Sequence, residues 1–179
     1  MKKLLAIALA TLMVLACFAG CGAKKDEEVK TVVVGYTIYA PMNYFEGDEL
    51  VGFDTDLAKA VFEGMGYKVI FQEIDWDAKY TDLAAGTIDC IWNGFTCNSA
   101  DPDGIMRSEK LDFSYNYMEN RQVIVTKADA GIATAEDLNG KMGSVESGSA
   151  GESYGKTFEG ANIKGATKQT DCLMEVNSG

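Results

Sequence analysis

Between residues 31 and 92 the chain alternates short apolar runs with longer amphipathic segments that end at glycines. Residues 31–35 are rich in valine and stop at a glycine, which is typical of a buried strand. Asp54 or Thr55 can cap a helix whose apolar side chains recur at helical spacing, and the glycines at 64 and 66 end it. A strand over residues 68–74, a helix over 76–85 and a strand over 87–92 follow. This alternation predicts an α/β fold with a mainly parallel sheet.

The alternation resumes after a loop at residues 98–104 that contains proline and glycine. Residues 121–126 form a β-branched run that predicts a strand. The later predicted elements are a short helix over residues 135–138, a strand over 141–145, a helix over 149–158, a strand over 162–166 and a helix over 170–177. We place a boundary between two lobes near residues 122–126. Residues 31–122 then form lobe 1, and residues 123–179 form the part of lobe 2 that the chain contains.

The first 21 residues have the features of a lipoprotein signal peptide. Two lysines precede a nearly unbroken apolar run over residues 4–16, and small residues follow it. The run is shorter than the roughly 20 residues that span a bilayer, so a transmembrane helix is the less favoured alternative. Residues 18–22 resemble the lipobox of bacterial lipoproteins, in which the cysteine, here Cys21, accepts a diacylglycerol.

Two alternatives to lipidation at Cys21 stay open. Residues 14–17 are a weaker match that would place the lipid on Cys17, and the segment can also be an ordinary signal peptide with incidental cysteines. We favour Cys21 because residues 22–30 then form a polar tether. Acyl chains on Cys21 would hold the protein at the membrane face while its folded part stays in water.

The chain contains no histidine and has a formal net charge of -11 at pH 7. The missing imidazole excludes a Ser-His-Asp or Cys-His catalytic centre among the residues present. The acidic balance argues against nucleic acid as a partner. Three cysteines remain after the signal segment, Cys90, Cys97 and Cys172, and an odd number cannot all pair internally. No CxxC motif occurs, so neither a metal site nor a cofactor is predicted.

Eight short motifs occur in an order that is typical of one family. They lie at residues 39–41, 51–58, 74–77, 85–89, 92–96, 107 with 111–114, 137–141 and 147–149. In this order they resemble the solute-binding proteins of polar amino-acid ABC importers, family 3, which have the type II periplasmic binding fold. The resemblance covers residues 30–179 and is specific because of the order, since each motif alone is weak.

The resemblance implies two α/β lobes joined by two crossings, with an amino acid bound in the cleft between them. It also implies a non-enzymatic monomer outside the cytoplasm whose partners are the permease subunits of an ABC transporter. In the family the chain returns from lobe 2 to lobe 1, so we expect this sequence to stop within lobe 2. The aspartate that binds the ligand's ammonium group in the family would lie beyond Gly179.

Two groups are expected to bind the ligand's carboxylate. Arg107 keeps the family's spacing to Phe113, and a guanidinium can bind a carboxylate through two parallel hydrogen bonds. Ser149 and Ala150 open a predicted helix, where free N–H groups favour an anion. The family commonly has a hydroxyl at the position of Ala150, which Ser149 would replace. The alternatives are a surface arginine and an ordinary capped loop.

The same resemblance assigns the rest of the ligand's surroundings. Tyr39 and Trp76 would flank its aliphatic part, Asn93 and Gly94 would offer carbonyl groups to its ammonium, and Thr96 would donate to its carboxylate. The alternatives are structural: a turn at Tyr39, a core tryptophan, and a plain turn after a strand.

The ligand's identity and the function class are less constrained. No acid occurs at residues 36–38, just before Tyr39, which favours a neutral or weakly polar amino acid of the glutamine or cystine type. A periplasmic dehydratase-like enzyme with Asp75, Asp77 or Asp89 as its base is one alternative on the same fold. A sensor ectodomain is another.

Overall fold

The computed structural model describes residues 29–179 of the chain. The predicted signal peptide, the candidate lipidation sites Cys17 and Cys21 and most of the tether lie outside the described residues. In chain order the elements are β1 (Thr31–Tyr36), β2 (Tyr44–Glu46), β3 (Glu49–Val51), α1 (Phe53–Gly64), β4 (Lys68–Glu73), a 3-10 helix (Trp76–Ala78), α2 (Lys79–Ala85), β5 (Cys90–Ile91), α3 (Arg107–Lys110), a second 3-10 helix (Glu136–Leu138), β6 (Met142–Glu146), α4 (Ala150–Gly155), β7 (Asn162–Ala166) and α5 (Gln169–Ser178). Within this described part no helix combines the length and apolar character needed to cross a membrane.

Three parallel strands form the N-terminal sheet in the order β4-β1-β5. Strand β1 is central, and its Val34 is fully buried, as an apolar run in a parallel sheet should be. The strand predicted over residues 87–92 shortens to Cys90–Ile91. The chain on either side still bonds to β1, because the N–H of Asp89 donates to the carbonyl of Val33 at 2.8 Å and that of Trp92 to Gly35 at 3.0 Å. The predicted parallel sheet is therefore confirmed, with less regular pairing at this edge.

Strands β2 and β3 form an antiparallel hairpin that the sequence pattern does not predict. The hairpin leads into α1 through Gly52, whose φ is 122°. A side chain there would collide with the carbonyl oxygen of Met42, so the position requires glycine. The predicted cap by Asp54 or Thr55 is wrong, since Gly52 is the N-cap and no side chain caps this helix. Thr55 instead donates to the carbonyl of Val51 at 3.2 Å.

The helix predicted over residues 76–85 has two parts. Its first turn is the 3-10 helix Trp76–Ala78, which Asp75 caps by accepting a hydrogen bond from the N–H of Asp77 at 3.1 Å. The chain then widens into α2, which ends at Gly86 in the left-handed conformation. Trp76 is therefore the first residue of the 3-10 helix, and its side chain is buried.

The C-terminal sheet pairs β6 and β7 in parallel, with α4 and α5 packed against it. The predicted strands and the last predicted helix are confirmed to within a residue or two. Helix α4 ends earlier than predicted, at Gly155, because the N–H groups that follow it form hydrogen bonds of the 3-10 type. Those of Thr157 and Phe158 donate to the carbonyls three residues back, Tyr154 and Gly155, at 3.0 and 3.2 Å. The short helix predicted over residues 135–138 is the 3-10 helix Glu136–Leu138.

The strand predicted over residues 121–126 is wrong. The segment is irregular and exposed, with 75% of Val123 accessible to solvent. A β-branched run becomes a strand only when another strand pairs with it, and none of the strands in residues 29–179 does so. The lobe boundary that we place in this segment stays a prediction.

Candidate ligand-binding site

Arg107, the first residue of α3, is 1% exposed and is therefore not a surface arginine. Its Nε donates to Oδ1 of Asp101 at 2.8 Å, and Nη1 donates to the carbonyl of Thr96 at 3.2 Å. Nη2 reaches across to the C-terminal part of the chain and donates to the carbonyl of Gly148 at 3.0 Å. The guanidinium thus lies where segments far apart in sequence meet.

Asp101 is the counterion of Arg107, and the sequence reading missed it. It sits in the loop before α3, and its side chain is only 4% exposed. Burial raises the pKa of Asp101, but hydrogen bonds from Tyr80, Lys110 and Arg107 outweigh burial and hold the pKa below its usual value. No motif indicates this role, because the loop folds back through a bond from the N–H of Asp101 to the carbonyl of Ile105 at 2.9 Å.

Aromatic rings surround the guanidinium. The Cζ of Arg107 lies 4.9 Å from the ring centre of Phe95, within cation–π range. Trp76, which is 4% exposed, packs edge-on against Phe95 with ring centres 4.9 Å apart. Tyr39 lies against Gly94, where a Cβ atom would be 2.9 Å from its Cε1 atom. Tyr39, Trp76, Gly94 and Arg107 thus form one connected set through Phe95.

The side chain of Asn93 has a structural role. It is 8% exposed, and its Nδ2 donates to the carbonyl of Thr37 at 3.0 Å and to Oδ1 of Asn43 at 2.9 Å. Asn43 in turn donates to Oγ1 of Thr55 at 3.0 Å. This buried network anchors the turn after β5. The backbone carbonyl of Asn93, the predicted ligand contact, accepts from the N–H of Phe95 at 2.5 Å and from the hydroxyl of Tyr117 at 3.5 Å.

The start of α4 is closed by a reciprocal cap. Oγ of Ser149 accepts from the N–H of Glu152 at 3.0 Å, and Oε2 of Glu152 accepts from the N–H of Gly148 at 2.7 Å. Ala150 follows and is 7% exposed. The loop presents the carbonyl of Gly148 to Arg107 and Lys79. The contact of a ligand carboxylate with N–H groups at the start of this helix stays a prediction.

Lys79 is a second buried cation at this point, and it was not predicted. It is 2% exposed, and its Nζ donates to the carbonyl of Trp76 at 3.0 Å and to that of Gly148 at 3.1 Å. Burial lowers the pKa of Lys79, the charge of Asp101 opposes this effect, and the charge of Arg107 lowers the pKa further. A lysine in the first turn of a helix is usually exposed, so the sequence holds no signal for this burial. We call Lys79, Arg107 and Gly148 the Gly148 junction.

Glu146, the last residue of β6, lies two residues before this junction. Its side chain is 7% exposed, and Oε1 has no hydrogen-bond partner among the described residues. Burial raises the pKa of Glu146 to about 7. The sequence reading missed this residue as well, because glutamates are mostly exposed.

Two of the three acids considered as catalytic bases accept backbone hydrogen bonds, whereas Asp77 lies at the Gly148 junction, where a Cβ atom added to Gly148 would be 2.9 Å from its Oδ1. Asp75 caps the first 3-10 helix, and Oδ2 of Asp89 accepts from the N–H of Val33 at 2.7 Å. Among residues 29–179 no group of histidine, cysteine and carboxylate side chains could hold a metal ion. The arrangement offers charge and hydrogen bonding, which suits binding of a small zwitterion.

Comparison with known proteins gives consistent matches. The family model for bacterial extracellular solute-binding proteins, family 3, matches residues 32–179. The arginine-binding extracellular protein ArtP of Bacillus subtilis is 32% identical over 184 residues, which cover 99% of this chain and 70% of that protein. The L-cystine-binding protein TcyA of Bacillus subtilis is 29% identical over 199 residues, which cover 100% of this chain and 71% of that protein.

Solved structures agree with the sequence matches. A histidine-bound substrate-binding protein of an ABC uptake transporter from Streptococcus pneumoniae has a TM-score of 0.70 and 37% identity, over 83% of this chain and 62% of that one. The chain spans 54 to 71% of the length of three of the curated relatives that it matches.

Proposed function

The chain belongs to the bacterial extracellular solute-binding proteins of family 3, and from this premise we propose that it captures a free amino acid outside the cytoplasm for an ABC importer. The fold predicted from the sequence, the two-lobe α/β type II periplasmic binding fold, is confirmed by these matches. One observation carries the proposal: Arg107 is 1% exposed yet donates to both the N-terminal and the C-terminal part of the chain.

Arg107 is the group that would bind the ligand's carboxylate. A guanidinium has five N–H donors, so a carboxylate can receive two parallel bonds while the bond to Asp101 keeps the group oriented. Thr96 would add a donor from the N-terminal side, and Ser149 with Ala150 would approach from the C-terminal side. A ligand held by both sides would favour the closed arrangement of the two lobes, which the transporter would recognise.

The remaining predicted residues would complete the site. The rings of Tyr39 and Trp76 would cover the ligand's aliphatic part, and the carbonyls of Asn93 and Gly94 would accept from its ammonium. Binding of this kind needs no covalent step, so we propose a binding protein without enzymatic activity. Cys21 would carry the lipid that keeps the protein near its permease partners at the outer face of the membrane.

Calorimetry of the purified protein against the twenty standard amino acids tests the proposal. We expect saturable binding of at least one of them, with no turnover of prephenate or arogenate. Binding of no amino acid, or turnover of either cyclic acid, would contradict it.

A further inference from the structure

The carboxylate of Glu146 is buried, and one of its two oxygens lacks a hydrogen-bond donor among residues 29–179. Its side chain is 7% exposed, and Oε1 has no hydrogen-bond partner among the described residues. A buried polar atom that lacks a partner is destabilising, and a buried charge is more so. Such a group in a binding protein points to a donor that arrives from outside the chain.

The surroundings of Glu146 are acidic on balance. Asp75 faces it from the N-terminal part of the chain and Asp171 from α5, and both charges raise the pKa of Glu146 beyond the effect of burial. Cys172, also on α5, lies near enough for the charge of Glu146 to contribute to its raised pKa. A backbone hydrogen bond from Gln169 and the charge of Lys79 act in the opposite direction and lower the pKa of Glu146.

Lys79 does not neutralise Glu146 by direct contact. Its ammonium donates to the carbonyls of Trp76 and Gly148, and the two side chains form no ion pair within the described part of the chain. The charges of Asp75 and Asp171 thus add to that of Glu146, while the ammonium of Lys79 is already hydrogen-bonded to backbone oxygens.

The position of Glu146 puts it beside the proposed ligand. It ends β6, and the ends of parallel strands in open α/β sheets are where ligands bind. Two residues later, Gly148 accepts from both Lys79 and Arg107. A ligand whose carboxylate lies on Arg107 would therefore extend its side chain into the neighbourhood of Glu146.

We propose that Glu146 accepts N–H groups of the ligand's side chain, so that the preferred ligands are amino acids with a cationic, N–H-bearing side chain such as a guanidinium or an ammonium. This inference rests on the proposed function and narrows it. A cation satisfies Oε1 and balances the excess of carboxylates at once, whereas a neutral amide would leave the excess negative charge in place. The acid that the sequence lacks before Tyr39 is then supplied by β6.

Arginine and citrulline test the inference, because citrulline keeps nearly the same shape but carries a neutral urea. We expect the purified protein to bind arginine at least tenfold more tightly than citrulline in calorimetry at pH 8. Glu146→Gln should bring the ratio of the two dissociation constants close to one, mainly by weakening arginine. Glu159→Gln, which changes an exposed glutamate of the same part of the chain, should leave the ratio unchanged.

The pH dependence of arginine binding provides a second test. Arginine binding favours the ionised form of Glu146, so affinity should rise by about tenfold in all between pH 6 and pH 8 and level off above. The variant Glu146→Gln should lose this rise, and Glu146→Asp, which keeps the charge, should retain it. Circular dichroism would verify that each variant is folded.

The outcomes separate the inference from the function on which it rests. Tighter binding of glutamine or another neutral amino acid than of arginine and lysine, or an unchanged arginine-to-citrulline ratio in folded Glu146→Gln, would overturn the inference and leave amino-acid binding intact. Binding of no amino acid at all would overturn both.

Discussion

Lys79 and Arg107 donate to the same acceptor, the carbonyl oxygen of Gly148, at 3.1 and 3.0 Å. Two like charges that are 2% and 1% exposed thus converge on one neutral oxygen. Asp101 offsets part of this positive charge through its ion pair with Arg107. A bound carboxylate at the Gly148 junction would offset the rest.

The first prediction concerns the guanidinium of Arg107. Arg107→Lys keeps the positive charge but loses the planar fork, so we expect the affinity for the best amino-acid ligand to fall at least tenfold, about 1.4 kcal/mol. Arg121→Lys makes the same exchange at an exposed position and should bind like the wild type. Calorimetric dissociation constants of the two variants test this prediction. Equal affinities of Arg107→Lys and Arg121→Lys for the ligand would argue against a ligand contact by Arg107.

The second prediction concerns the backbone at Gly148. Its φ is +69°, and an added Cβ would lie 2.9 Å from Oδ1 of Asp77 and 3.0 Å from Nζ of Lys79. Gly148→Ala should therefore destabilise the fold and weaken ligand binding. Gly140→Ala is the matched control, since its φ is +74° with no atom within 4 Å of an added Cβ. It should cost only the conformational strain, about 1 kcal/mol in urea unfolding, and keep the wild-type affinity.

The third prediction concerns the ion pair of Asp101 with Arg107. Asp101→Asn leaves a buried guanidinium without its counterion, which should lower the free energy of unfolding at pH 7 by about 3 kcal/mol. Asp103 also contacts Lys110 but is 50% exposed, so Asp103→Asn should cost far less.

The pH dependence of this loss follows from the lowered pKa of Asp101. A carboxyl whose pKa is lower in the folded state contributes stability above its usual pKa, and this contribution disappears as the pH falls through the folded-state value. The difference between wild type and Asp101→Asn should thus shrink as the pH falls below about 4. A difference that stays constant down to pH 2.5 in urea titrations would contradict the ion pair.

The fourth prediction separates the two roles of Ser149. Its Oγ accepts from the N–H of Glu152 at 3.0 Å, which leaves its hydrogen free to donate to a carboxylate. Ser149→Ala should lower stability by about 1 kcal/mol and Ser149→Gly by only a few tenths, because glycine is tolerated at an N-cap. Both should weaken ligand binding to the same extent. Unchanged affinity in both variants would reduce Ser149 to a helix cap.

Much of the fold follows from local pattern. The valine run of β1, the helical spacing in α1 and the glycine after α2 each predict the observed element, because these signals depend on nearby residues only. Residues 121–126 show the limit of such signals. Their β-branched side chains favour an extended chain, but a strand also needs a partner, which local sequence does not specify.

The sequence by itself determined the α/β class, the family and the presence of Arg107 at the spacing of a carboxylate-binding residue. Tertiary structure alone decided that Lys79 and Glu146 are buried beside it and that Asp101 is its counterion. A lysine or glutamate carries no local mark of burial, since exposure is its usual state and only packing between distant segments removes the water. The site's charge balance, and with it the inferred preference for a cationic side chain, is therefore a property of the folded chain.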